Sequence, residues 1–145
     1  MHNITMMKHV EKDLENNLIP VICSQPGKGL ISDLHELADK MQTKAFELRC
    51  SMLFDLAEIK TAAATAIDYA NQHPKENPLL IIDDINRTIP DMSNKLINIC
   101  LTHMIQDQEK QHNIPDNLHI IITCVYDGDT PIATDTIFHC HFNHG

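Results

Sequence analysis

The residues most suited to chemistry are two adjacent carboxylates, Asp83 and Asp84, which follow an apolar run. That run, residues 79–82, shows no polar alternation, which is typical of a strand buried within a parallel sheet. Such a strand brings both carboxylates to the carboxyl edge of the sheet, where open α/β sheets bind ligands. At this edge Asp83 and Asp84 could bind a magnesium ion, or they could only cap the end of the strand and contact the neighbouring loop.

A second candidate group lies in the turn at residues 24–29, Ser-Gln-Pro-Gly-Lys-Gly, between a short apolar run and a helical pattern. Backbone N–H groups of a glycine-containing loop that opens a helix can cradle a phosphate, and a lysine adds positive charge. Gly27, Lys28 and Gly29 are therefore candidate nucleotide ligands together with Asp83 and Asp84, provided that nucleotide binding survives. The alternative is a solvated loop in which Lys28 holds no ligand.

Two histidines near the end of the chain, His139 and His141, have a spacing that invites a metal interpretation. In a strand they would share one face, while Cys140 would point to the other face with Phe138 and Phe142. The cysteine and the histidines could then bind one ion only with distortion, and the ten histidines of the chain make chance clustering easy. We expect no metal site here; a zinc site that uses His139 and His141 is the alternative.

Alternating strand and helix patterns are predicted to position these groups. Apolar runs predict strands at residues 18–23, 45–50, 79–82, 118–125 and 136–142, and helical spacing predicts helices at residues 5–17, 30–41, 53–70 and 91–111. This alternation predicts an α/β fold, a three-layer arrangement in which a parallel sheet of about five strands carries helices on both faces. Because no linker or repeat interrupts it, residues 1–145 are predicted to form a single domain.

Composition excludes several classes of function. The formal net charge of −9, from 20 acidic against 11 basic residues, argues against nucleic-acid binding, which relies on clustered Lys and Arg. Five cysteines, odd in number and without paired short spacing, indicate reduced thiols in a cytoplasmic protein. Neither a signal peptide nor an apolar stretch of membrane-spanning length is evident, so we expect no membrane association.

Three segments carry motifs that occur together in one family. Residues 20–29 have a strand followed by Pro-Gly-x-Gly, residues 79–90 have a strand followed by Asp-Asp-Ile-Asn-Arg, and residues 118–123 form a further apolar strand. In this order they resemble the Walker A, Walker B and sensor-1 segments of AAA+ ATPases, most closely of the MoxR-like branch. The resemblance covers the whole chain and implies a P-loop NTPase-like fold.

The first departure from the family concerns the Walker A loop, Gly-x-x-x-x-Gly-Lys-Ser/Thr. When Gly29 is aligned with the second glycine, Ser24 replaces the first glycine, Leu30 the lysine and Ile31 the hydroxyl residue. A rival alignment makes Lys28 the Walker lysine, but the loop would then begin inside the strand. Asp33, in the first turn of the following helix, would stabilise the helix N-terminus and repel a phosphate placed there.

Other parts that the resemblance implies for hydrolysis also differ. Asp84 stands where the family has a glutamate, and residues 123–125 offer no sensor-1 asparagine. The only arginines, Arg49 and Arg87, do not lie beyond the Walker B segment, where an arginine finger and a sensor-2 arginine are expected. The sequence stops at Gly145, before the helical lid of the family, so we expect the lid to be absent.

These departures predict a pseudo-ATPase without enzymatic activity and without a bound cofactor. We expect it to act through protein–protein interaction, either with itself as a homo-oligomer or with a genuine AAA+ ATPase. The alternative is a residual nucleotide- or phosphate-binding protein, or a slow NTPase, that binds ATP and magnesium through Lys28, the two glycines and Asp83.

Overall fold

The computed structural model describes residues 1–52, 55–107, 110–126 and 137–143. Four helices alternate with seven strands in the described part of the chain. In order they are α1 (Ile4–Glu15), β1 (Ile19–Ser24), α2 (Leu30–Lys40), β2 (Ala45–Arg49), α3 (Leu56–Gln72), β3 (Leu79–Asp83), α4 (Pro90–Thr102), β4 (Met104–Asp107), β5 (Lys110–Asn113), β6 (His119–Val125) and β7 (Phe138–Asn143). Short 3₁₀ turns follow β2 (Cys50–Met52) and β3 (Ile85–Arg87).

Five of the strands form one parallel sheet in the order β2-β3-β6-β1-β7. In the centre of the sheet Ile122 of β6 lies opposite Val21 of β1 and Ile82 of β3. The first and third strands are thus not neighbours, since β6 lies between them. The predicted parallel five-stranded α/β fold is confirmed.

Two apolar clusters lie on opposite faces of the sheet. On one face α1 and α2 pack over alternate strand residues such as Ile22, Ile81 and Ile121. On the other face α3 and α4 pack over the intervening strand residues, such as Val21 and Ile82. The central strands are therefore buried on both sides, which explains why β3 and β6 are nearly continuous apolar runs in the sequence.

The predicted long helix over residues 91–111 is wrong in its second half. Helix α4 ends at Thr102, and the next residue, His103, adopts a left-handed backbone conformation with φ 57°. Residues 104–107 then pair antiparallel with residues 110–113, and Ile105 reaches the core. The backbone N–H of Ile114 donates to the carbonyl of His103 at 2.9 Å, so the residues that flank the β4–β5 pair are joined by a hydrogen bond.

The other predicted elements differ from the structure only at their ends. Helix α3 begins at Leu56, where Asp55 accepts a 2.9 Å hydrogen bond from the backbone N–H of Glu58; the predicted start at residue 53 lies outside the described residues. The predicted start of the last strand, residue 136, also lies outside them. Among the described residues no helix is long and apolar enough to cross a membrane.

Candidate functional site

A cavity of about 310 Å³ opens at the carboxyl edge of the sheet. Because β1, β3 and β6 are parallel and adjacent, the segments that follow them meet there. Its lining comes from the β1–α2 loop, the first turn of α2 and the ends of β3 and β6: Ser24, Gln25, Pro26, Gly27, Lys28, Gly29, Leu30, Ile31, Ser32, Asp83, Asp84, Arg87, Thr123, Cys124 and Val125. All five candidate nucleotide ligands named from the sequence therefore line one cavity.

The loop between β1 and α2 is shaped by its two glycines. Gly27 has φ 82° and Gly29 has φ 71°, in the left-handed region that side chains other than glycine rarely adopt. Gly29 is the N-cap of α2, so Leu30 and Ile31 are the first two helical residues. Lys28 lies on the exposed loop before the helix.

Asp33 lies in the first turn of α2 as expected, and it also makes contacts that the sequence did not reveal. Its carboxylate is buried and accepts hydrogen bonds from the backbone N–H of His2 at 3.2 Å and of Asn3 at 2.7 Å, at the start of α1. The Asn3 side chain adds a 2.7 Å bond to Asp33 and a 3.0 Å bond to the Lys28 carbonyl. Burial raises the pKa of Asp33, but these hydrogen bonds outweigh it and hold the pKa below its ordinary value. Asp33 thus ties the start of the chain to α2, and Asn3 ties it to the loop.

The two carboxylates after β3 have different environments. The hydroxyl of Thr123 donates to Oδ1 of Asp83 at 2.7 Å and accepts from the backbone N–H of Asp84 at 2.9 Å. Asp84 has a left-handed backbone, with φ 55°. Burial and the neighbouring charge of Asp83 raise the pKa of Asp84, while Arg87 opposes the rise. Asp83 is thus the better placed of the two to hold a cation, with Thr123 fixing its orientation.

Asn86 is a structural residue of this edge that sequence reasoning missed. Its amide donates to the carbonyl of Val125 at 2.7 Å and accepts from the N–H of Val125 at 2.9 Å. This paired contact holds the turn after β3 against the end of β6. The signal was an asparagine in the turn directly after a buried strand, a position where its side chain can bond backbone groups.

The two candidate metal ligands lie in a different part of the molecule. His139 and His141 face α1 from the edge strand β7, and their ring nitrogens each lie 2.6 Å from one oxygen of Asp13. Cys140 packs against the opposite cluster, as the strand alternation predicts. Asp13 was missed because 126 residues separate it from His139, and no spacing rule joins positions so far apart.

Comparison with solved structures relates this architecture to RuvB of Thermotoga maritima, an AAA+ ATPase. One RuvB variant matches with a TM-score of 0.57 at 15% identity, over 86% of this chain and 39% of the RuvB chain. A second matches with a TM-score of 0.57 at 16% identity, over 82% and 39%. The chain shares the fold of the matched part of RuvB. It spans about two fifths of the RuvB chain.

This similarity establishes the fold of the chain and nothing more. Sequence identities of 15% and 16% are too low to carry an activity from RuvB to this chain. No protein-family model matches the sequence, and no curated protein matches it. The assignment to the MoxR-like branch and the absence of a lid stay predictions.

Proposed function

We propose that this AAA+-like chain is catalytically inactive and acts by binding protein, either a second copy of itself or a genuine AAA+ ATPase. The observation that carries the proposal is the start of α2, where Leu30 and Ile31 directly follow Gly29. In a working P-loop these two positions supply an ammonium group to the phosphates and a hydroxyl to magnesium. Two apolar side chains supply neither.

The position of Lys28 does not compensate for this loss. Helix α2 begins after Gly29, which favours the alignment in which Gly29, and not Gly27, is the last glycine of the Walker A loop. Lys28 then precedes the helix on an exposed loop. A flexible lysine at this point can attract an anion, but it is not held beside the helix N-terminus.

The acidic side of the cavity is also poorly equipped for hydrolysis. Asp84 is one methylene shorter than the glutamate of the family, so its carboxylate would hold a water molecule at a different position. Misplacement of a catalytic group by about 1 Å can cost about 100-fold in rate. The shorter side chain supports a chain that has kept the edge of the sheet and lost the reaction.

A protein-binding role is supported by apolar side chains on the outer edge of the sheet. Phe142 of β7 is 41% exposed and Ile4 of α1 is 55% exposed, and both line one shallow groove. Tyr126 contacts Phe142 edge-on, with ring centroids 5.6 Å apart. Among the described strands β7 and β2 form the two edges of the sheet, and an open strand edge is a common site of association. A second copy of the chain is the simplest partner for such an edge.

Titration calorimetry with ATP and ADP, each with and without magnesium, tests the catalytic half of the proposal. We expect no heat of binding up to millimolar nucleotide and no phosphate release. Saturable, magnesium-dependent turnover that Asp83→Ala abolishes and Asp68→Ala preserves would overturn the proposal. Asp68 is the matched control because it is an exposed aspartate on α3.

Light scattering coupled to size-exclusion chromatography tests self-association. We expect a dimer or larger assembly at high protein concentration and a shift to monomer in Phe142→Asp. Leu101→Asp is the matched control, because Leu101 is 46% exposed and lies near the opposite end of the strands. A monomer at all concentrations would exclude self-association and leave a separate AAA+ ATPase as the partner to be sought by pull-down.

The cavity supports a second candidate function, residual binding of a nucleotide or phosphate. Its volume, the two left-handed glycines, Lys28 and Asp83 are all features of an anion and magnesium site. This candidate predicts a thermal shift with ATP or ADP that Lys28→Ala removes and Lys12→Ala, at an exposed position of α1, keeps. Absence of a shift at millimolar nucleotide would exclude it.

A further inference from the structure

Within the part of the chain that the structure describes, a cluster of metal-binding groups lies between helix α1 and the edge strand β7. It consists of Asp13, His139 and His141, and their ligand atoms all lie within 4.8 Å of one another. The Asp13 side chain is only 4% exposed and its two oxygens face the two imidazoles, one each, at 2.6 Å. We propose that these three residues form a binding site for a divalent first-row transition metal, with Zn²⁺ as the probe.

The local backbone geometry explains why these groups converge. Residues two apart on a strand share a face, so His139 and His141 both project from β7 toward α1. Helix α1 packs against the same side of the sheet through Met7, Val10 and Leu14, which carries Asp13 to that face. The ligands therefore stand on two regular elements and not on a mobile loop, which favours a defined site.

The donor set selects the class of metal. Two imidazole nitrogens and one carboxylate oxygen suit zinc and other first-row divalent ions, whereas magnesium and calcium prefer oxygen ligands alone. Metal–ligand bonds of about 2.0–2.1 Å in a tetrahedral site place neighbouring ligand atoms about 3.3 Å apart. Each imidazole nitrogen lies 2.6 Å from a different oxygen of Asp13, and one ligand atom from each residue lies within 4.8 Å of the others, so shifts of about 1–2 Å would reach the tetrahedral spacing.

The site is open to an ion from solvent, and it leaves one coordination position vacant. The His139 side chain is 53% exposed whereas that of His141 is 11% exposed, so an ion can enter from the His139 side. Three protein ligands leave a fourth position for water or an external ligand. On α1, His9 lies one turn before Asp13 and stacks on His141, with ring centroids 5.5 Å apart, which fixes the orientation of that imidazole.

Bound metal would join the first helix to the edge strand. Because the ligands come from residue 13 and residues 139 and 141, coordination would close most of the chain into one loop and stabilise the folded state by linkage. The site lies outside the nucleotide-type cavity, whereas His141 also lines the groove beside Phe142 that is proposed for self-association. Zinc binding and nucleotide binding can each fail while the other holds.

Calorimetry of untagged, chelator-treated protein with Zn²⁺ tests the proposal. We expect one tight site per chain, and weakening of its affinity by more than about 100-fold in His139→Ala and in His141→Gln, because loss of a ligand should exceed the 10–100-fold effect typical of outer partners. His35→Gln is the matched control, since His35 is also partly exposed and bound to a carboxylate, that of Glu47. Failure of Zn²⁺ to bind, or equal binding by all variants, would overturn the proposal.

The visible absorption spectrum of bound Co²⁺ reports on the metal ligands directly and does not depend only on the stability of the fold. Bound to nitrogen and oxygen ligands in a four-coordinate site, Co²⁺ gives visible bands that Zn²⁺ displaces. We expect these bands in the native chain and in His35→Gln, and their loss in His139→Ala, whose circular dichroism should stay native because the side chain is half exposed. Bands that persist in His139→Ala would place the metal elsewhere and refute the assignment.

Discussion

The hydroxyl of Thr123 donates a 2.7 Å hydrogen bond to Oδ1 of Asp83 and so joins the ends of two neighbouring strands, β6 and β3. The same oxygen accepts the backbone N–H of Asp84 at 2.9 Å. The buried hydroxyl of Thr123 therefore provides a hydrogen-bond partner both for the carboxylate of Asp83 and for the backbone N–H of Asp84, whose backbone is left-handed. Whatever the cavity binds, its acidic wall is held in place by this contact.

Replacement of Thr123 by valine, which keeps the shape and removes the hydroxyl, should destabilise the fold. We expect the free energy of unfolding to fall by about 1–3 kcal/mol, because the carboxylate of Asp83 and the N–H of Asp84 both lose a partner at a mostly buried position. Urea denaturation followed by circular dichroism measures the change. In Thr61→Val the lost bond joins only an exposed hydroxyl to the carbonyl of Ala57, and we expect a change within about 0.5 kcal/mol. Equal losses in the two variants would contradict this account.

Asp33 should make the fold sensitive to acid. Its pKa in the folded chain lies below the ordinary value of 3.8, so the ionised carboxylate stabilises the fold above the unfolded pKa of about 3.9. This stabilisation is lost as the pH falls from about 5 through the folded pKa. We expect Asp33→Asn to lower the free energy of unfolding by about 1.5–3 kcal/mol at pH 7 and to flatten its fall in acid.

Urea denaturation between pH 7 and pH 2 checks this dependence on Asp33. Asp39→Asn is the control, because Asp39 is exposed on the same helix and should leave both the pH 7 stability and the acid slope unchanged. An acid slope in Asp33→Asn as steep as that of the parent chain would show that other carboxylates dominate the acid sensitivity.

The backbone at Gln42 offers a stabilising substitution. Gln42 follows the end of α2 with φ 58°, and its side chain is exposed. Glycine adopts this left-handed conformation without the steric penalty of a side chain, so we expect Gln42→Gly to raise the free energy of unfolding by about 0.5–1 kcal/mol. Gln72→Gly, in the last helical position of α3, should instead lower it by up to about 1 kcal/mol. Thermal denaturation compares the two; a loss of stability in Gln42→Gly would contradict the expectation.

The sheet could be predicted from the sequence because burial on both faces leaves a local signal. Residues 79–82 and 119–124 are apolar at almost every position, and glycines mark the turn before α2. The convergence of the loop and the carboxylates then follows from the rule that parallel strands share a carboxyl edge. Gly27, Lys28, Gly29, Asp83 and Asp84 could therefore be brought together before any coordinates were known.

The features that escaped prediction depend on contacts between distant residues. The end of α4 at Thr102 is decided by pairing between β4 and β5, whose polar residues continue a helical pattern in the sequence. Asp13 joins His139 only because α1 packs beside β7. The role of Asp33 likewise depends on the chain start, about 30 residues earlier. Local periodicity carries no information on such partners.

Restoring the Walker A residues is the most direct test of how the cavity lost its chemistry. We expect the double variant Leu30→Lys, Ile31→Thr to bind Mg²⁺-ADP at least about tenfold more tightly than the parent chain, because an ammonium and a hydroxyl would then stand at the first two positions of α2, beside the loop N–H groups. Leu30→Ala, Ile31→Ala controls for the loss of two partly buried side chains, and calorimetry measures both. If the double variant bound no better than this control, the assignment of Leu30 and Ile31 to the Walker positions would be wrong.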